Sequence, residues 1–276
     1  MDLGLRGKVA VVTGGSRGIG LATAELLAKE GANVVIAARR PEHLKTAAES
    51  IGVDPVEADV TSLEDLDRLA AHVKDKYGGT DILVNNAGTG TYKPFLEVTD
   101  EDLLHGMAIN FFAQFRLTQR IVPSMIERGG GVVINVSGRT AVRTAYPPGS
   151  TCTGPAKAAE VRFSADLAEE LKPHNIRVVC IVPGVVMTPD RFGKWEREAH
   201  GRELEVQEAS QVRDKLEAEK LPSGAQWGTP EQIANVIAFS ASDCAGYLSG
   251  ESILVDGSPG AYSYVRALYE EKQKQS

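Results

Sequence analysis

Cysteine is scarce in this chain, basic residues are outnumbered, and long hydrophobic runs are missing. Each shortage excludes something. Three cysteines in 276 residues, Cys152, Cys180 and Cys244, are too few and too scattered to form a disulfide framework, so a reducing cytoplasmic location is expected. The five histidines (His43, His72, His105, His174, His200) follow no metal-ligand spacing, and no metal is expected. Thirty Lys and Arg stand against 37 Asp and Glu, a formal net charge of −7. That sign argues against nucleic acid or an acidic membrane as a partner. No run approaches a membrane span, Met1–Lys8 has no apolar leader segment, and no solenoid-type repeat is evident.

What is there is a chain with a 42% hydrophobic share, enough for one large α/β domain across 1–276. Its organising stretch is Val9–Gly20, V-A-V-V-T-G-G-S-R-G-I-G. Val9, Ala10, Val11 and Val12 make one short buried strand. Gly14, Gly15, Gly18 and Gly20 then break it, and Ile19, Leu21, Leu26 and Leu27 begin a helical pattern at once. Strand, glycine turn and helix form the unit that binds dinucleotides. The glycines let the backbone approach a pyrophosphate, and the helix N-terminus offers it unpaired N–H groups. A second buried strand, Asn33–Ala38, is followed by Arg39 and Arg40, where NAD-binding chains often carry an acid for the ribose 2′-hydroxyl. Guanidinium groups suit a phosphate instead. With Arg17 inside the turn, the expected cofactor is NADP(H).

Further strands are expected at Val53–Asp59, Asp81–Asn85, Gly131–Ser137, Ile176–Pro183 and Ser252–Asp256. Ser62 with Asp65 resembles a helix cap. Thr99 caps a long helix running from Asp100 towards Glu127, with Pro123 as a possible kink. Thr229-Pro230-Glu231-Gln232 supplies a threonine cap, proline at the first helical position and glutamine at the third. The stretch 187–228, rich in charge and carrying Trp195 and Trp227, departs from the α/β rhythm, and 258–276 is a polar tail.

The T-G-x-x-x-G-x-G spacing of Thr13–Gly20 and the tetrapeptide N-N-A-G of Asn85–Gly88 resemble the short-chain dehydrogenase/reductase family, and the likeness runs from about Leu5 to Gly257. It implies a Rossmann-like, doubly wound parallel sheet of seven strands in the order 3-2-1-4-5-6-7, with helices on both faces. It implies a homodimer or homotetramer joined through the helices near Asn110 and Lys157. For the cofactor it implies contacts from Gly14, Ser16, Arg17, Gly18, Ile19, Gly20, Arg39 and Arg40. Asp59 and Val60 would lie at the adenine, and Asn86, Ala87 and Gly88 beside the cofactor. Pro183, Gly184, Val186 and Thr188 of the P-G-x-x-x-T pattern would lie at the nicotinamide. The 187–228 stretch is where the family builds a substrate lid.

The resemblance also implies a Ser-Tyr-Lys proton relay backed by Asn, and here the chain departs from it. Asn110 and Lys157 match. Thr153 stands one helical turn before Lys157, where the family has tyrosine, and an aliphatic hydroxyl is a poor acid. Gly138 stands in the strict register of the serine, with Ser137 beside it. The loop from Gly138 to Thr153 is about two residues longer than the family's usual one. Three readings follow. An NADP(H)-dependent oxidoreductase of a small organic carbonyl or alcohol would use a substitute acid, with Tyr146 first and Tyr92 second. An enoyl- or dienoyl-type C=C reductase would work with Lys157, Asn110 and a water. A protein that binds the cofactor without redox chemistry would have lost hydride transfer.

Overall fold

The structure is a computed structural model describing residues 2–144, 149–189 and 228–257. Seven strands form one sheet: β1 (Val9–Thr13), β2 (Asn33–Ala38), β3 (Asp54–Glu57), β4 (Ile82–Asn85), β5 (Gly131–Val136), β6 (Ile176–Pro183) and β7 (Ser252–Val255). Their order is β3-β2-β1-β4-β5-β6-β7, and every pairing is parallel. Parallel strands need crossovers, and these are helices: α1 (Gly18–Lys29), α2 (Pro41–Ile51), α3 (Leu63–Tyr77), α4 (Asp100–Met107), α5 (Ala113–Glu127), α6 (Thr153–Leu171) and α7 (Pro230–Ala241).

Strand periodicity decides which helix covers which face. In β1, Ala10 and Val12 join Ala24 and Leu27 of α1, Leu44 of α2 and Ile233 and Ile237 of α7 in one core. The alternate residues Val9 and Val11 join Leu66 and Leu69 of α3, Leu117 and Ile121 of α5 and Ala168 of α6 in the other. Both faces of the sheet are therefore buried, which is why its strands are continuous runs of Val, Ile, Leu and Ala.

The caps act as their residue types suggest. Ser62 Oγ accepts from the Asp65 N–H at 3.3 Å, although the Asp65 carboxylate turns to the Asp59 N–H instead of closing a reciprocal box. Thr99 with Asp102, and Thr229 with Gln232, form reciprocal capping boxes. The helix expected from Asp100 to Glu127 differs. It is interrupted at Ala108–Phe112 by a π-helical turn, and Pro123 lies within α5 without ending it. The interruption coincides with Asn110, whose side-chain amide donates to the Gly106 carbonyl one turn back. Single π turns of this kind recur at functional sites.

Two features position the site. The chain builds outward from β1 through β2 to β3, then returns to place β4 on the other side of β1. That reversal opens a crevice at the carboxyl ends of β1 and β4. Beyond β6, Val186 pairs with Gly228 in an isolated parallel bridge. The chain leaves the sheet and returns to it at one point. Trp195, Trp227, most of the expected lid and the 258–276 tail lie outside the described residues.

Ile134, fully buried in the central β5, tests the core. Ile134→Ala is expected to lower the unfolding free energy by about 3 kcal/mol in a urea titration with little change in its slope.

Candidate cofactor and active site

The crevice is lined by the glycine turn that follows β1. Gly14 and Gly18 both adopt positive φ, +65° and +56°, a region glycine enters without strain. A Cβ on Gly20 would come within 2.3 Å of the Gly14 carbonyl oxygen, so only glycine lets α1 start against the turn. Its first turn carries no acidic residue, and no side chain caps it. The cradle thus combines close backbone approach with an uncapped helix N-terminus, and it fits a dinucleotide pyrophosphate. Asn86 locks the crevice's far wall. Its side chain donates to the Thr13 carbonyl at 2.9 Å, while the Thr13 hydroxyl accepts from the Asn86 and Ala87 N–H groups, each at 3.0 Å. The loop after β6 closes the other end, since a Cβ on Gly18 would lie 3.0 Å from the Thr188 methyl.

Arg39 and Arg40 emerge exposed at the end of β2. Arg39 Nη1 lies 3.6 Å from Asp59 Oδ2. Burial would raise the Asp59 carboxyl, but the Thr61 N–H and hydroxyl bound to it, with Arg39 beside it, hold it below the usual carboxylate range. An ionised Asp59 thus lies beside the exposed Arg39 guanidinium at the end of β2, a planar fork of donors that suits a phosphate.

Below the crevice the expected relay residues come together, with their hydroxyls already committed. The Thr153 hydroxyl accepts from the Thr91 N–H at 2.9 Å and donates to the Thr91 carbonyl at 3.1 Å. It pins the loop after β4 to the start of α6. The Ser137 hydroxyl donates to the Lys157 carbonyl at 2.8 Å. Gly138 is extended, and a Cβ there would meet nothing within 4 Å among the described residues. Asn110 holds Thr89 from both sides: its amide donates to the Thr89 carbonyl at 2.9 Å and its oxygen accepts from the Thr89 N–H at 3.1 Å. Tyr92 is 48% exposed, and its ring curls over Gly90 on this same loop. Tyr146 lies outside the described residues.

Lys157 sits at the centre. It is 8% exposed, and its Nζ donates to the Val136 carbonyl at 3.1 Å and to Glu160 Oε1 at 2.9 Å. A Cβ on Gly88 would lie 3.1 Å from Nζ and 2.8 Å from Asn110 Oδ1. Gly88 is thus the gap through which the ammonium and the amide meet the crevice.

Glu160 was not legible as a site residue, yet it is fully buried. Gln114 Nε2 also donates to its Oε1, at 2.9 Å. Burial pushes the Glu160 carboxyl up to about 7, against the pull of Lys157 and of the Ser137 and Gln114 side chains. The Cys180 thiol on β6 is pushed up to about 12, chiefly by burial and then by Glu160. The available signal was a polar residue at each of two inward helix stripes: Glu160 between Ala156 and Ser164, and Gln114 between Asn110 and Thr118. Farther out, Arg139 and Arg143 approach the buried Asp256 at 4.0 and 3.7 Å.

Comparison with known proteins gives a consistent result. A family model described as short chain dehydrogenase matches residues 8–199. The chain is 36% identical over 262 residues to dehydrogenase/reductase SDR family member 4 of Oryctolagus cuniculus, covering 92% of this chain and 94% of that protein. It is 33% identical over 263 residues to the 3-oxoacyl-(acyl-carrier-protein) reductase FabG of Aquifex aeolicus (strain VF5), covering 93% and 99%. Among solved structures it resembles L-sorbose reductase from Gluconobacter frateurii, complexed with NADPH and L-sorbose. There the TM-score is 0.80 and the identity 37%, over 93% of this chain and 98% of that one.

Thr153→Val leaves both backbone groups of Thr91 unpaired. It is expected to cost about 1–3 kcal/mol of stability by denaturant titration, and to raise amide hydrogen exchange at residues 89–93. Glu160 makes stability pH-dependent. The native state keeps a proton that the unfolded chain releases near the ordinary value of 4.5, so stability falls as pH rises from there to about 7 and is flat above. Glu160→Gln is expected to flatten the thermal midpoint across that interval.

Proposed function

The chain belongs to the short-chain dehydrogenase family, and we propose that it is an NADP(H)-dependent oxidoreductase of a small organic carbonyl or alcohol with an altered proton relay. The observation that carries this is the complete crevice. Glycine cradle, uncapped helix and an exposed Arg39 beside Asp59 stand over Lys157 and Asn110. The similar L-sorbose reductase, solved with NADPH, supports the same cofactor.

In this reading the turn from Gly14 to Gly20, with Ser16 and Ile19, binds the pyrophosphate. Arg17, Arg39 and Arg40 take the 2′-phosphate, and Asp59 and Val60 flank the adenine. Asn86, Ala87 and Gly88 wall the ribose. Pro183, Gly184, Val186 and Thr188 orient the nicotinamide end. The bound cofactor supplies or accepts the hydride. Lys157 holds the nicotinamide ribose and supports proton delivery to the substrate oxygen, and Asn110 fixes the Thr89 backbone at that position. The α4–α6 side supports a homodimer or homotetramer: Phe111, Phe115 and Phe163 cluster there, with Phe115 38% exposed. Three unpaired cysteines favour a cytoplasmic setting.

A second reading has its own support. The Thr153 hydroxyl is occupied by Thr91, so it is a poor proton donor. That favours enoyl-type C=C reduction, in which Lys157 and a water protonate the carbon frame.

Absorbance of NADPH over a panel of ketones, aldehydes and enoyl thioesters separates the readings. Turnover on carbonyls supports the first and turnover only on enoyl thioesters the second. Cofactor binding without turnover by wild type, with activity gained in Gly138→Ser/Thr153→Tyr, means a binding scaffold that has given up redox work. Arg39→Ala is expected to weaken NADPH about 10- to 100-fold and leave NADH unchanged in a fluorescence titration. Equal loss for both cofactors removes Arg39 from the phosphate site.

A further inference from the structure

The Lys157–Glu160 contact is more than a buried ion pair, because Glu160 is asymmetrically served. The Lys157 Nζ and Gln114 Nε2 hydrogen bonds both meet Oε1, and the Ser137 hydroxyl, which also pulls on the carboxyl, gives its proton to the Lys157 carbonyl. Oε2 and the Gln114 Oε1 beside this contact have no hydrogen-bond partner among the described residues. A buried carboxylate oxygen short of donors is costly, whereas the same oxygen bearing a proton needs an acceptor instead, and the Gln114 Oε1 is an acceptor of that kind. The ionisable groups that face Glu160 are Lys157 on its own helix and Cys180 on β6, with the neutral Ser137 and Gln114 completing the shell. Lys157 is the one cation in that shell, and it leads out past Gly88 to the crevice.

We propose that Glu160 is a proton-holding and positioning residue for Lys157, so that the Lys157–Glu160 pair does the work of the missing tyrosine. The proposal rests on the reading that Lys157 faces bound cofactor and substrate. As the substrate carbonyl carbon accepts a hydride, the carbon–oxygen π electrons move to oxygen. A Lys157 N–H bond breaks and the substrate O–H bond forms. The Glu160 carboxyl then turns about its terminal carbon–carbon bond to bring the Oε2 proton to Nζ, that O–H bond breaks as the proton restores the Lys157 ammonium, and the carboxylate left behind stays paired with it. Solvent returns the proton through Lys157 once product has left. In alcohol oxidation the same proton path runs backward. Gln114, buried with Glu160, holds the carboxyl within reach of Lys157.

The test needs neither cofactor nor substrate. Infrared spectra of the full chain are recorded from about pH 5 to about pH 9, and Glu160→Gln is subtracted to isolate the Glu160 carboxyl band. A protonated-carboxyl band that bleaches near neutral pH supports the proposal. A carboxylate band at every pH overturns it. If Glu160→Gln does not fold, Lys157→Met serves. Removing the cation is expected to move the band's midpoint upward by about one pH unit or more, and an unmoved midpoint overturns the coupling. With an active substrate in hand, Glu160→Gln is expected to lower kcat about a hundredfold and abolish its near-neutral pH limb, with the KM for NADPH unchanged. Loss of KM and kcat together, with the pH limb retained, assigns Glu160 to packing alone. Lys157→Ala, followed by NADPH fluorescence, reports separately on the cofactor reading.

Discussion

A ladder of buried side-chain hydrogen bonds sets the register on which the rest of this site depends. Asn85 on β4 donates to Thr118 on α5 and to Asn135 on β5, and Asn135 donates to Ser164 on α6. Asn85 and Asn135 are also register partners in the sheet. All four side chains are buried, so each bond forms in low dielectric and an unmade one would leave an uncompensated polar group. Apolar packing alone would let α5 and α6 slide on a flat β face. The ladder admits one position of each helix, and that position brings Asn110, Gln114, Lys157 and Glu160 together.

The same economy of polar groups governs the hydroxyls around Lys157. A hydroxyl at position 153 would be available for chemistry if nothing else needed it. Here the loop after β4 has backbone groups at Thr91 that need partners, and Thr153 supplies both. Ser137 likewise turns to the backbone of α6. Two side chains that resemble parts of a relay have become supports for the loop and the helix that frame the crevice. One helical turn inward from Thr153, Lys157 and Gln114 both donate to the same oxygen of the buried Glu160.

Much of the glycine cradle was legible residue by residue. Positive φ at Gly14 and Gly18, and the Gly20 contact with the turn, are local demands that glycine spacing announces. The capping pairs at Thr99 and Thr229 are equally local. The proton half was not. Thr153 was legible as a departure, but the partner of its hydroxyl lies 62 residues away. Glu160 looked like one more charge on an amphipathic helix.

The sequence by itself determined the strand–turn–helix cradle and the short buried strands, which depend on periodicity, on backbone freedom and on residue types within a few positions of one another. The order of the parallel sheet came from the resemblance to the short-chain family. Tertiary structure decided which hydroxyls are spent, that a π-helical turn interrupts the helix at Asn110, and that Glu160 is buried against Lys157. Those depend on which distant groups meet in the absence of water, and the strength and protonation of a polar group are set by that meeting.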